Sequence, residues 1–201
     1  MIKIGKLEIN GAALAPMAGF TDSAFREICS EMGAGLLVSE MISAKALCFK
    51  DKKTEALISF SQKEEPFALQ LFGSDKESVY EATKILCEHK PQMIDINMGC
   101  PVIKIVSNGC GSALLNDRKR AEEIVSAAAM AADVPVSVKI RIGFDNEHIV
   151  ASEFAKALEG AGASLITVHG RTREQMYRPG VNLEAIKSVK NAVKIDRKSV
   201  V

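Results

Sequence analysis

Short apolar runs recur along the chain, each bounded by Gly or Pro and rich in β-branched residues. Ala12 to Met17 turns at Ala18-Gly19, Leu36 to Met41 reads Leu-Leu-Val-Ser-Glu-Met, and Phe67 to Phe72 stops at Gly73. Met93 to Met98 leads into Gly99-Cys100-Pro101, Val136 to Ile142 stops at Gly143, and Leu165 to His169 leads into Gly170-Arg171. Such runs predict buried strands. Between them the spacing predicts helices. Thr21 caps Asp22 to about Met32, and Ser74-x-x-Glu77 forms a capping box for a helix to about Glu88. Asn116 or Asp117 opens a helix that ends near Ala132, and Asn146 to Leu158 is closed by Gly160. Asn182 opens Leu183 to about Asn191, and Ile42 to Phe60 reads as a less regular helical stretch. Strand-then-helix alternation predicts a parallel sheet with crossover helices.

Most of these strands carry a polar residue near the C-terminal end: Gln70, Asn97, Lys139, Arg141 and His169. That pattern predicts a TIM (β/α)8-type barrel with its active site at the C-terminal rim. A doubly wound open sheet is the runner-up, but no Gly-x-Gly-x-x-Gly turn follows the first strand. The barrel is incomplete on this count, with about six βα units and the start of a seventh strand at Ala192 to Ile195, against eight strands in a full barrel. Charged residues then stand where apolar ones would continue, so residues 196–201 read as a tail foreign to the barrel.

Met93 to Pro101 carries the most chemistry. Gly99 is expected to supply a positive φ or a close approach to a ligand. Pro101 biases Cys100 toward an extended conformation, which holds the thiol by the backbone. Taken alone, Cys100 is equally a small buried thiol, because a lone Cys becomes a nucleophile or acid only with partners. Lys139 sits mid-strand among Val136, Val138, Ile140 and Ile142, where an unpaired ammonium is costly. Arg141, two residues on, points to the same side.

Composition narrows the class. The 201 residues are 47% hydrophobic and 25% charged with a net charge of +1, which leaves no electrostatic footprint of a nucleic-acid binder. Five scattered Cys without Cys-x-x-Cys spacing argue against a disulfide scaffold or zinc site and for a reducing, cytoplasmic setting. The N-terminus lacks an apolar signal region, and no run has the length of a membrane span. Lys50, Lys52 and Lys53 read as a solvated end, and His89 and His148 carry no site argument.

Five motifs in register carry a resemblance. Ala15-Pro-Met-Ala-Gly-Phe-Thr-Asp22, Gln70-Leu-Phe-Gly73, Asp95-Ile-Asn-Met-Gly-Cys-Pro101, Val138-Lys-Ile-Arg141 and Val168-His-Gly-Arg-Thr-Arg173 together resemble the tRNA-dihydrouridine synthases, most of all the bacterial B-type branch. The resemblance covers about residues 8 to 195. It implies an FMN-bearing TIM barrel over residues 1–195, followed in the family by a small helical domain that helps hold tRNA. The activity it implies is reduction of uridine to 5,6-dihydrouridine with electrons from NADPH.

Reduction of that C5=C6 bond needs a hydride at one carbon and a proton at the other. The resemblance assigns the hydride to flavin N5 and the proton to Cys100, as the acid that delivers to C5. It gives Pro16, Met17 and Ala18 the isoalloxazine face, with the following amides facing the ring, and Gln70 the flavin's pyrimidine edge. Lys139 takes the side of N1 and the C2 carbonyl, and His169 another flavin contact. Asn97 is expected to pair with the polar edge of the uracil through both donor and acceptor. Arg141 is expected at the substrate or the ring edge, and Arg171, with Arg173 and Arg178, at phosphates.

The chain departs from the family at Asp196. The family's Gly-Asn-Gly-type loop after strand seven and Gly-Arg loop after strand eight, which grip the FMN phosphate, have no counterpart here, nor has the helical domain. Weak FMN binding without turnover is therefore expected. The alternatives are an FMN-barrel reductase of a free pyrimidine, a non-catalytic RNA-binding fragment and, more remotely, an aldolase-type barrel in which Lys139 forms a Schiff base. No metal is expected, and the oligomeric state stays open.

Overall fold

A computed structural model describes residues 2–4 and 7–200, with the backbone alone for residues 2, 3 and 196–200. Seven strands form one parallel sheet in sequential order: β3 (Ala13–Leu14), β4 (Leu36–Ser43), β5 (Phe67–Phe72), β6 (Met93–Met98), β7 (Val136–Arg141), β8 (Leu165–His169) and β9 (Asp196–Val200). Helices α1 (Ser23–Glu31), α4 (Lys76–Cys87), α6 (Arg118–Ala131), α7 (Ala151–Gly160) and α8 (Leu183–Ala192) fill the crossovers. Short helices α2 (Ala44–Cys48), α3 (Lys52–Glu55) and α5 (Ile103–Val106) occupy loops. This is the expected incomplete TIM-type barrel.

Alternation along the strands sorts the two faces of the sheet. Leu69 and Leu71, Ile94, Ile96 and Met98, Val138 and Ile140, and Ile166 and Val168 are buried with the helices in one apolar core. The intervening positions carry Gln70, Asp95, Asn97, Ser137, Lys139, Arg141 and His169 on the opposite face. An antiparallel hairpin, β1 (Ile2–Ile4) with β2 (Leu7–Ile9), was not foreseen from the sequence. Its Ile4 and Ile9 pack with Leu36, Val38, Ala68, Met93 and Leu165, which lie near the N-terminal ends of the strands. Apolar packing thus covers the N-terminal end of the barrel, and the polar positions are left to the C-terminal end.

Several local expectations shift. Helix α1 is capped by Asp22, whose carboxylate accepts from the Phe25 amide, because the Thr21 hydroxyl is engaged with Met17. Asp75, not Ser74, caps α4, accepting from the Ser78 amide. Helix α7 begins at Ala151, since Ile149 is held in a bridge to Gly143. The stretch 42–60 divides: β4 runs on to Ser43, then α2, α3 and a 3-10 turn follow. The seventh strand is Asp196–Val200, paired in parallel with β8, instead of beginning at Ala192. Helix α8 runs on through Ala192, and Glu159 accepts the amides of Lys194 and Ile195, which delays strand pairing.

Candidate functional site

A cleft of about 430 Å³ opens at the C-terminal ends of the strands. Pro16, Met17, Ala18, Gln70, Asn97, Cys100, Lys139, Arg141 and His169 all line it, so all but one of the expected site residues come together. Arg171 lies outside the lining. Its Nε donates to the Arg178 carbonyl and its Nη1 to His169 Nε2, at 2.9 and 3.1 Å.

Strand register explains the interior of the site. Gln70 pairs with Asp95, Asp95 with Ser137, and Asn97 with Lys139, so two polar layers stack below the rim. The backbone amides of Gly99 and Cys100 both donate to Asn97 Oδ1, at 3.2 and 2.9 Å. Asn97 Nδ2 donates to Gln70 Oε1 at 3.0 Å, and Gln70 Nε2 to Asp95 Oδ2 at 2.6 Å. Ser137 Oγ donates to Asp95 Oδ1. Asn97 therefore has its acceptor occupied twice over and offers a ligand only its remaining N–H, which corrects the expectation of a donor and an acceptor.

Cys100 is clamped from both sides. Its carbonyl accepts from the Ser112 amide and hydroxyl at 3.1 and 2.9 Å. Gly111 makes that approach feasible: it sits at φ +59°, and a Cβ there would lie 2.8 Å from the Cys100 oxygen. Gly99, by contrast, does not need a positive φ. A Cβ on it would meet the β7 backbone at 3.4–3.5 Å, an ordinary contact. Met17 is folded onto Thr21, whose hydroxyl accepts its amide and donates to its carbonyl, both at 3.1 Å. That removes the Met17 amide from those expected to face a ring.

The electrostatics are set by burial. Asp95 is driven upward by desolvation, against hydrogen bonds from Ser137 and Gln70 and the charge of Lys139. Lys139 is pulled down to about 8, chiefly by burial, and among the described residues it makes no hydrogen bond or ion pair. His169 is pushed down to about 3 by burial and the neighbouring cations Arg141, Lys139 and Arg171. It is neutral at physiological pH. Since Arg171 Nη1 can only donate, Nε2 accepts and the ring proton sits on Nδ1. Arg141 binds the carbonyls of Gly99, Thr172 and Met176 at 2.8–2.9 Å and lies under Tyr177, 5.5 Å from the ring centre. It ties the loop after β6 to the loop after β8 while one face lines the cleft.

Sequence reasoning missed Asp95 and Ser137, each two residues before an expected site residue on the same strand face. That spacing was the available signal. It also missed Tyr177 and Phe20, which are exposed at the rim; Phe20 stands two residues after Ala18 in one of the quoted motifs, whereas no local pattern pointed Tyr177 to the cleft. Among the described residues no group of three His, Cys, Asp or Glu side chains is placed to hold a metal, and no helix is long and apolar enough to cross a membrane.

Comparison with known proteins bears on this arrangement. Morphinone reductase superposes with a TM-score of 0.58 at 13% identity, over 98% of this chain and 84% of that one, a likeness of fold. The tRNA-dihydrouridine synthase B of Pseudomonas syringae pv. tomato is 39% identical over 195 residues, 96% of this chain and 58% of that protein. A probable tRNA-dihydrouridine synthase of Rickettsia bellii is 42% identical over 197 residues, 97% of this chain and 60% of that protein. The chain thus spans about three-fifths of the length of these relatives. The family model described as Dihydrouridine synthase (Dus) matches residues 13–197, the whole parallel sheet up to the second residue of β9, and the chain belongs to that family.

Proposed function

We propose that this chain forms the ring-binding part of an FMN-dependent site that reduces uridine in tRNA to 5,6-dihydrouridine, with NADPH as the electron source. One observation carries the proposal: the thiol-bearing turn after β6 and the unpaired ammonium of β7 line the same cleft. The residues present suit a planar ring with carbonyl groups. Gln70 and Asn97 each keep one N–H free, and Lys139 supplies a cation where a reduced, anionic ring needs one. FMN, when bound, supplies the hydride. Cys100 supplies the proton to C5 from the opposite face of the base, held in place by Asn97 and Ser112. His169, neutral and oriented by Arg171, adds a polar contact without a second positive charge.

For the 201-residue chain we expect weak FMN binding without turnover, so the decisive readouts are of binding. FMN titration should show saturable quenching of flavin fluorescence. Cys100→Ala should leave the affinity unchanged, whereas Lys139→Met should lower it about tenfold, as loss of one charge-assisted contact does. Bound FMN should slow alkylation of Cys100 by iodoacetamide. Equal affinity in wild type and Lys139→Met, with alkylation indifferent to FMN, would overturn the assignment. A runner-up, reduction of a free pyrimidine, would show as protection of Cys100 beyond that by FMN alone when uracil is added, and none beyond it when unmodified tRNA is added.

A further inference from the structure

We infer that Asp95 is a positioning residue: its carboxylate is the terminal acceptor of the hydrogen-bond chain that holds Cys100 and, with the Gly99 and Cys100 amides at the other end, fixes how Gln70 and Asn97 present their N–H groups to the cleft. This rests on the proposed site for its functional meaning, but not for its geometry.

The direction of the chain follows from groups that have no choice. The amides of Gly99 and Cys100 can only donate, so the Asn97 atom they reach is the oxygen. Asn97 then turns its nitrogen to Gln70, which must answer with oxygen, and Gln70 turns its own nitrogen to Asp95. Asp95 ends the chain as the acceptor, and Ser137 donates to its second oxygen. Asp95 is 4% exposed and Gln70 1%, so water does not substitute for either partner.

Two consequences follow. The turn bearing Cys100 is anchored through Asn97 to a carboxylate three links away. Asn97 keeps only an N–H free, and Gln70 an N–H beside one lone pair of Oε1, so the ligand edge that meets Asn97 must bring an acceptor, such as a carbonyl oxygen of a pyrimidine or pteridine-like ring. An amide in place of the Asp95 carboxylate removes the constraint. That amide donates as readily as it accepts, so the orientation of Gln70 is then held from the Asn97 side alone.

The test is solution NMR on the 15N-labelled chain without any ligand, with FMN titration as a second arm. Asp95→Asn should lower hydrogen-exchange protection of the Gly99 and Cys100 amides up to about tenfold, the effect of turning a buried charge-assisted hydrogen bond into a neutral one. It should also weaken FMN. The double variant Asp95→Asn with Gln70→Glu moves the carboxylate one link along, where it accepts both from the new amide at position 95 and from Asn97. That variant should restore protection at Gly99 and Cys100 without restoring FMN affinity, because a carboxylate at position 70 has no N–H for the ring. A purely structural role for Asp95 would not give this split. Should Asp95→Asn fail to fold, Ser137→Ala and Gln70→Leu probe the chain from either side of the carboxylate, with the same loss of protection expected. Unchanged protection in folded variants, or FMN binding recovered together with protection in the double variant, overturns the proposal. Correct amide behaviour in a protein that never binds FMN leaves it standing and removes the functional reading instead.

Discussion

Two buried ionic clusters in this molecule solve the same physical problem in opposite ways. Near the first crossover, Arg26 and Glu64, 3% and 1% exposed, meet directly in an ion pair. Every arm of that pair is used: Arg26 also donates to the carbonyls of Thr21 and Ser59 at 2.9 Å and covers the Phe67 ring, while Glu64 accepts the Ser61 amide. At the C-terminal end of the barrel, Asp95 and Lys139 lie on neighbouring strands and feel each other's charge, yet no ion pair joins them. Asp95 is satisfied by neutral donors, and Lys139 has no hydrogen-bond or ion-pair partner among the described residues. The closed cluster knits the segment around residue 64 to the loop before α1. The open one keeps an unneutralised cation facing a cleft, an arrangement that costs folding stability and that a bound anionic ring would repay.

The largest effect should come from breaking the closed cluster. Glu64→Ala leaves a buried guanidinium without its partner and should destabilise the fold by about 3–5 kcal/mol, measured by urea unfolding. The double variant Arg26→Met with Glu64→Leu should recover most of that loss, since a packed apolar pair needs no charge compensation. A cost below about 1 kcal/mol for the single variant would mean the pair is in effect solvated, and the contrast between the clusters would fail.

The open cluster should respond in the other direction. Lys139 holds its proton in the folded chain up to about pH 8, against 10.5 for an ordinary lysine. The folded state therefore binds fewer protons than the unfolded one across that interval, so stability rises as pH climbs from about 8 toward 10.5. Below that interval the full cost of the desolvated ammonium is present. Lys139→Met should stabilise the chain at pH 6 by up to about 3 kcal/mol, since the drop from 10.5 to about 8 already contains its attraction to Asp95, and flatten the rise above pH 8. Paired unfolding curves at pH 6 and pH 10 check this. A destabilised variant at pH 6 would mean the ammonium is compensated in the apo protein and that its lack of a partner marks no binding site.

The same contrast explains what was legible in the sequence. The barrel was readable because strand-helix alternation is local, and nearly all the expected cleft residues were readable because polar residues interrupt apolar strands at their C-terminal ends. The failures concern partners distant along the chain. Nothing near Cys100 announces that Ser112 and Gly111 hold its carbonyl, or that Arg141 reaches over to residues 172 and 176. Arg171, expected at phosphates because it clusters with Arg173 and Arg178 behind His169, lies outside the cleft lining and binds the histidine and the Arg178 carbonyl. Helix starts slipped by a residue or more where a neighbouring Asp competed for the cap, as Asp22 and Asp75 do. The seventh strand was displaced because Glu159, some 35 residues away, captures the amides of Lys194 and Ile195.

A lone unsatisfied polar atom could be mistaken for the feature that distinguishes the open cluster, and Thr83 separates the two ideas. Its side chain is fully buried on α4, and its hydroxyl has no hydrogen-bond partner among the described residues. It lines no part of the cleft. If missing partners alone marked binding, Thr83 would qualify as well as Lys139. Thr83→Val removes the hydroxyl at nearly constant volume, so it should leave FMN affinity unchanged and raise stability slightly, by up to about 1 kcal/mol, because only a desolvated hydroxyl is lost. Unfolding midpoints and FMN titration on the same preparations read both quantities. A loss of stability would place a hidden partner at Thr83. A change in FMN affinity would show that α4 communicates with the cleft, and orientation toward the cleft would no longer be what separates Lys139 from an ordinary buried imperfection.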